Sequence, residues 1–194
     1  MNHAAISQLA ALSANRIWLM EPTVLSAMFG MLRQKMAGSS DVLTRAGEAT
    51  EMKARVAGKI AVLPMHGIIV QRGSIWMDLF GGTSTDHFGA MFDSVMSDPA
   101  IKGVVVDIDS PGGTVPGVME LADKIYAARG QKSVVAIANS MAASAGYWLG
   151  SAFDQLYVTP GGNVGSVGVR SEHYDFSKMN KDLGIEVTVF QEPE

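Results

Sequence analysis

Residues 133–150 read SVVAIANSMAASAGYWLG. A β-branched apolar run, Val134-Val135-Ala136-Ile137-Ala138, carries the chain into a crowd of small residues around Ser144, then into Gly146 and the aromatic pair Tyr147-Trp148. Val and Ile favour a pleated strand, whereas alanine favours a helix. The stretch therefore reads as a strand that gives way to a helix at the serine. Two explanations fit so little bulk at that junction: two elements pack closely there, or a nucleophile is kept reachable.

The same texture extends in both directions from Gly58 onward. KIAVLPMHGIIV is an apolar β-rich run, followed by a Gly-rich loop from Gly73 to Thr85. Ser84 or Thr85 can cap a helix over DHFGAMFDSVMSD, which Pro99 closes. GVVVDID reads as a strand, SPGGTVPG as a break, and VMELADKIYAARG as a helix with an apolar stripe at 118, 119, 122, 125 and 126, ended by Gly130. QLYVTP is a further strand, YDFSKMNKDLG a helix ended by Gly184, and IEVTVF a last strand. Strands alternating with helices predict a layered α/β domain over 58–194, and unbroken apolar strands predict burial on both sheet faces.

The first 57 residues have another character. Residues 1 to about 37 suggest two short amphipathic helices broken at Glu21-Pro22, because proline is tolerated in a first helical turn but not in an interior. Residues 38–57, GSSDVLTRAGEATEMKARVA, read as a linker. The expected organisation is thus a helical leader and linker over 1–57, appended to the α/β domain.

Bulk composition narrows the function. The chain has 194 residues, 47% hydrophobic and 18% charged, with a net charge of −4. Nothing suggests the clustered basic footprint of a nucleic-acid binder. The absence of cysteine excludes disulfides, thiolate catalysis and Cys-based zinc sites, and agrees with a cytoplasmic setting. No run approaches the eighteen or so apolar residues of a membrane-spanning helix, and no basic segment precedes a clean apolar core, so no membrane anchor is expected.

Three stretches could carry chemistry. DIDSPGG, residues 107–113, ends a strand in Gly112-Gly113, whose main-chain N–H groups could point outward as oxyanion donors or could simply form a strand-to-helix turn. Ser144 could be a nucleophile at a helix start, with the Ala145 N–H close to its Oγ. GGNVGSVGV, residues 161–169, matches no phosphate loop and reads as a strand bend or a close-packing segment. His3, His66, His87 and His173 show neither a metal-binding spacing nor an evident acidic partner. A base for Ser144 would then be something else, with a desolvated lysine as the alternative. No metal or cofactor is implied.

Taken jointly and in this order, DIDSPGG, ANSMAASAGYWLGSAFDQLYVTP and GSVGV resemble the S49 family, the signal-peptide-peptidase A-like serine peptidases of the ClpP/crotonase fold. The resemblance covers about residues 58–190. It implies a nucleophile at Ser144, an oxyanion loop at Gly112 and Gly113, and a second donor at the Ala145 N–H. It also implies a Ser–Lys dyad that cuts peptide bonds through an acyl-enzyme, with a protein or peptide as substrate, and assembly into a homo-oligomeric ring. The leader, with WLMEPTVLSAM, resembles the phage-encoded branch, the head maturation proteases that process scaffold and capsid proteins; for a phage protein the cytoplasm is that of the bacterial host.

In that family the lysine base lies roughly fifty residues after the serine, past a strand resembling IEVTVF. Here that strand is followed only by QEPE. Lys178 and Lys181 fall earlier, on a predicted helix where the family carries ordinary exposed residues. The reading favoured is a truncated chain whose lysine lies beyond residue 194, with a degenerate copy or a lysine from another chain as the alternatives. Two further functions stay open: a non-catalytic assembly module on the same fold, and a crotonase-type acyl-CoA enzyme.

Overall fold

A computed structural model of the chain describes residues 17–38, 53–73, 77, 80–171, 177–182 and 184. Two sheets carry the architecture. The larger is built from β2 (Arg55–Ala57), β3 (Ile60–His66), β6 (Gly103–Ser110), β8 (Ser133–Ala143), β9 (Gln155–Val158) and β10 (Asn163–Gly165). β8 is its long central strand, with β6 on one side and β9 and β10 in succession on the other. β3, β6, β8, β9 and β10 run parallel, and β2 closes the edge antiparallel to β3.

The smaller sheet has the order β11 (Arg170–Ser171), β1 (Ile17–Met20), β7 (Gly112–Thr114), β4 (Ile68–Val70) and β5 (Gly82–Ser84). Strands of the large sheet continue into the small one across tight corners. β3 turns into β4 at Gly67, with φ +69°, and β6 turns into β7 at Pro111-Gly112. β10 leads toward β11 through Gly165, Ser166 and Gly168, all at positive φ. GSVGV is therefore the strand bend that its alternating glycines suggested.

Helices cover one face of the large sheet: α2 (Thr85–Ser97), α3 (Val118–Ala127) and α4 (Ala145–Ala152). Ser84 caps α2, accepting the His87 N–H on its Oγ at 3.2 Å. Phe88, Phe92, Leu121, Ile125 and Leu149 pack against Leu63, Met65, Val106 and Ile108 in the main core. The strands alternate between buried and half-exposed positions, as in β3 and β6. This corrects the expectation of burial on both faces. Val105, Asp107, Val135 and Ile137 are half-exposed, on the face opposite α2, α3 and α4, and an unbroken apolar run could not reveal that asymmetry.

The leader also departs from expectation. Pro22–Gly38 is a helix, α1, with proline in its first turn. The residues just before it, Ile17–Met20, are a strand rather than the end of a first helix. Residues 1–16 lie outside the described residues. Within the expected linker, Arg55–Ala57 forms β2; residues 39–52 lie outside the described residues, as does the expected last strand IEVTVF.

Candidate active site

Ser144 occupies the junction between β8 and α4, with φ 53° and ψ −112°. A non-glycine residue at positive φ costs on the order of 1–3 kcal/mol and persists only where its surroundings over-determine it. Here the Ser144 N–H donates to the Gly165 carbonyl at 2.8 Å, and the Ser144 carbonyl accepts the Trp148 N–H at 2.9 Å. The first bond ties the serine to the GSVGV bend; the second starts helix α4. The Oγ donates to the Gly168 carbonyl at 3.4 Å, a long and weak bond. The residue is only 4% exposed.

The small residues around it are packed. Ala142, Ala143 and Ala145 are buried. A Cβ added at Gly146 would meet the Ser110 Cβ at 3.2 Å, so α4 lies directly on β6. Close packing and a strained serine thus coexist at this junction.

The Gly112-Gly113 pair lies alongside. Gly112 has φ +99°; a Cβ there would lie 2.0 Å from the Leu19 carbonyl oxygen and 3.0 Å from the Ala143 carbonyl oxygen. A Cβ at Gly113 would lie 1.7 Å from the Ile69 carbonyl oxygen. The glycines are needed because a strand approaches on either side, β1 at Gly112 and β4 at Gly113. The structure therefore brings Gly112, Gly113, Ser144 and Ala145 together. It places the Gly112 N–H on the Ser110 Oγ at 3.1 Å rather than facing outward.

Ser110 escaped the sequence reading. It is fully buried, donates its hydroxyl to the Gly67 carbonyl at 2.7 Å, and accepts the Gly112 N–H. It thereby links the β3–β4 corner, the glycine pair and α4. A serine before Pro-Gly-Gly is an ordinary turn residue in sequence, so only its burial signals this role.

His66 corrects another expectation, since its Nε2 lies 3.2 Å from Asp107 Oδ2 on the neighbouring strand. That pair sits at half-exposed positions of the strands. His87 is exposed in the first turn of α2; His3 and His173 lie outside the described residues. Lys178 and Lys181 are exposed on α5 (Ser177–Asp182), without the burial expected of a lysine base. Among the described residues, no group of three or more His, Asp or Glu could hold a metal ion. A cleft between α2 and α3 is lined by Asp86, Asp93 and Glu120 beside Lys124, a carboxyl-rich wall unsuited to a nucleotide phosphate. Among the described residues no helix is long and apolar enough to cross a membrane.

Among the described residues a shift in acidity belongs to Glu21, which precedes α1. Its carboxyl is held below the ordinary value, first by the Val24 N–H, which donates to Oε2 at 2.8 Å, and then by the Thr23 N–H. Its own N–H donates to the Pro111 carbonyl, so the cap of α1 is continuous with the β1–β7 ladder.

Comparison with known proteins places these features. The head-tail preconnector protein GP5 of Enterobacteria phage P21 is 31% identical over 95% of the chain and 40% of that protein. The capsid assembly protease C of Escherichia phage lambda is 36% identical over 70% of the chain and 31% of that protein. The chain thus spans less than half the length of either relative. Among solved structures, the 1510-N membrane protease specific for a stomatin homolog from Pyrococcus horikoshii is 19% identical, covering 54% of this chain and 47% of its own, with a TM-score of 0.43. Residues 127–194, which begin before β8 and include Ser144 and the GSVGV bend, match the model of Peptidase family S49.

Proposed function

We propose that the chain is the core of a serine endopeptidase in which Ser144 is the nucleophile. The observation that carries this reading is the left-handed backbone of Ser144 at the start of α4, facing the glycine strand β7. In the reaction, Ser144 Oγ attacks the carbonyl carbon of a peptide bond as a base takes its proton. The oxyanion is met by the main-chain N–H groups of Gly113 and Ala145, while the Gly112 N–H stays on the Ser110 Oγ. The amine leaves with a proton, and water then releases the acyl group from Ser144. Since Lys178 and Lys181 are exposed, the base is assigned to neither.

Residues 58–194 form the peptidase domain in this reading, and 1–57 a leader docked through β1 and β2. Similarity to a capsid assembly protease and a head-tail preconnector protein supports phage scaffold or capsid proteins as substrates; the setting proposed with it is the cytoplasm of a bacterial host, and the working form a homo-oligomer. The test is to express the complete reading frame with phage capsid and scaffold proteins and follow their sizes by electrophoresis. Cleavage by the wild type that Ser144→Ala abolishes is expected; unchanged cleavage in the variant would refute the assignment.

A further inference from the structure

The small sheet holds a strand where a substrate would have to lie. β1 runs between β7 and β11, antiparallel to both, with Leu19 opposite Gly113, Met20 opposite Gly112, and Ile17 opposite Ser171. β7 is the glycine strand, and β11 follows the bend whose Gly168 carbonyl accepts the Ser144 hydroxyl. The Glu21 N–H donates to the Pro111 carbonyl and the Val115 N–H to the Ile17 carbonyl. Hydrogen-bonded pairs in an antiparallel ladder recur every second residue. Leu19 and Gly113 are therefore such a pair, with the Gly113 N–H directed at the Leu19 carbonyl. That carbonyl and the one preceding Ser144 both lie against Gly112. Ser144 is 4% exposed.

We infer that Ile17–Met20 occupies the peptide channel of this protein in the manner of a bound substrate, and that the channel takes an extended peptide with an apolar side chain at the Leu19 register. This rests on the peptidase reading above. Side-chain packing supports it: Leu19 alone of its strand enters the main core, as an anchor in a pocket would. Trp18 and Met20 face the other way, into a second cluster with Leu25, Met28 and Phe29 of α1 and with Ile68 and Val70 of β4. Most of that cluster belongs to the leader itself, and Trp18 stacks edge-on with Phe29, ring centroids 6.1 Å apart. β1 and α1 form a unit that can leave together, uncovering β7, β11, two β4 side chains and the main-core pocket that Leu19 fills.

Binding in the Ser144→Ala background tests this apart from chemistry. A specific protease site is placed between residues 39 and 52, and a fluorescein-labelled peptide copying residues 15–22 is titrated by anisotropy before and after cutting. A tethered leader competes at millimolar effective concentration, so cutting and dilution should tighten peptide binding by at least about tenfold. Equal affinity before and after cutting would overturn the inference. Should the cut protein fail to fold, Leu19→Asp in the intact chain should admit the wild-type peptide, and refusal of it would count against the channel. In the uncut chain, hydrogen exchange at Ile17–Met20 should be faster than at β6 and β8, whereas exchange only through global unfolding would mark β1 as an integral strand. Peptide binding without cleavage by the wild type would spare the channel and remove the peptidase reading; cleavage indifferent to the leader would do the reverse.

Discussion

Replacing Gly113 with alanine should drive β7 away from β4. The new Cβ would stand 1.7 Å from the Ile69 carbonyl oxygen and 2.7 Å from the Ile69 nitrogen, where ordinary contact begins at 3.4 Å. Relief requires the strands to part by about 1.5 Å, which takes a normal N–H···O bond of about 2.9 Å out of range. β4 cannot yield cheaply, because Ile69 is fully buried in the main core. One or two buried groups lose their partners at about 1–3 kcal/mol each, giving a destabilisation of about 3–4 kcal/mol. Gly112→Ala offers the contrast. Its Cβ would meet the Leu19 carbonyl oxygen at 2.0 Å from a φ of +99°, so it presses first on the backbone of β1. Backbone strain there is about 1–3 kcal/mol, and β1 can yield. Urea unfolding followed by far-UV circular dichroism gives both stabilities, while fluorescence with Trp76 and Trp148 replaced by phenylalanine reports Trp18 alone. Gly113→Ala should lower the unfolding midpoint the more, and Gly112→Ala should shift Trp18 emission to the red before unfolding. A cost below about 1 kcal/mol for Gly113→Ala, with an unchanged denaturant slope, would refute the steric reasoning.

Other perturbations follow from the same geometry. Ser110→Ala leaves the buried Gly112 N–H and the part-buried Gly67 carbonyl without their partner, for an expected loss of about 1–3 kcal/mol in the same unfolding assay. Phe92→Ala removes a ring that is 1% exposed and edge-on to Phe153; thermal and urea unfolding should show a loss of about 3–5 kcal/mol. For Glu21, the folded carboxyl titrates below its ordinary 4.5. Its contribution is therefore complete above that value and lost as pH falls through the lower folded value. Exchange of the first-turn amides of α1, read between pH 5 and 3, should quicken relative to the core in the wild type, after correction for intrinsic rates, and stay level in Glu21→Gln.

Legibility in the sequence tracked how local each feature's cause is. The cap at Ser84, the stop at Gly130, the strand at 103–110 and the junction at Ser144 rest on near neighbours, and all could be read. β1 could not, because IWLM becomes a strand by pairing with β7 and β11, residues about a hundred and more positions away. The half-exposed sheet face was hidden by valines that suit either environment. His66 and Asp107 meet only through the parallel register of β3 and β6. Ser144, Gly112, Gly113 and Ala145 were legible as a set because they stand in one order in a few short motifs. Ser110 was not, since its importance lies in burial and in two bonds to distant corners.

The most direct test is covalent. The complete reading frame is treated with a fluorophosphonate and examined by intact mass and peptide mapping, with Ser144→Ala as the control. The account predicts a single adduct on Ser144, formed faster once residues 1–38 are released, and none in the variant. An unmodified Ser144 in protein that cleaves its substrate, or equal labelling of the variant, would contradict it.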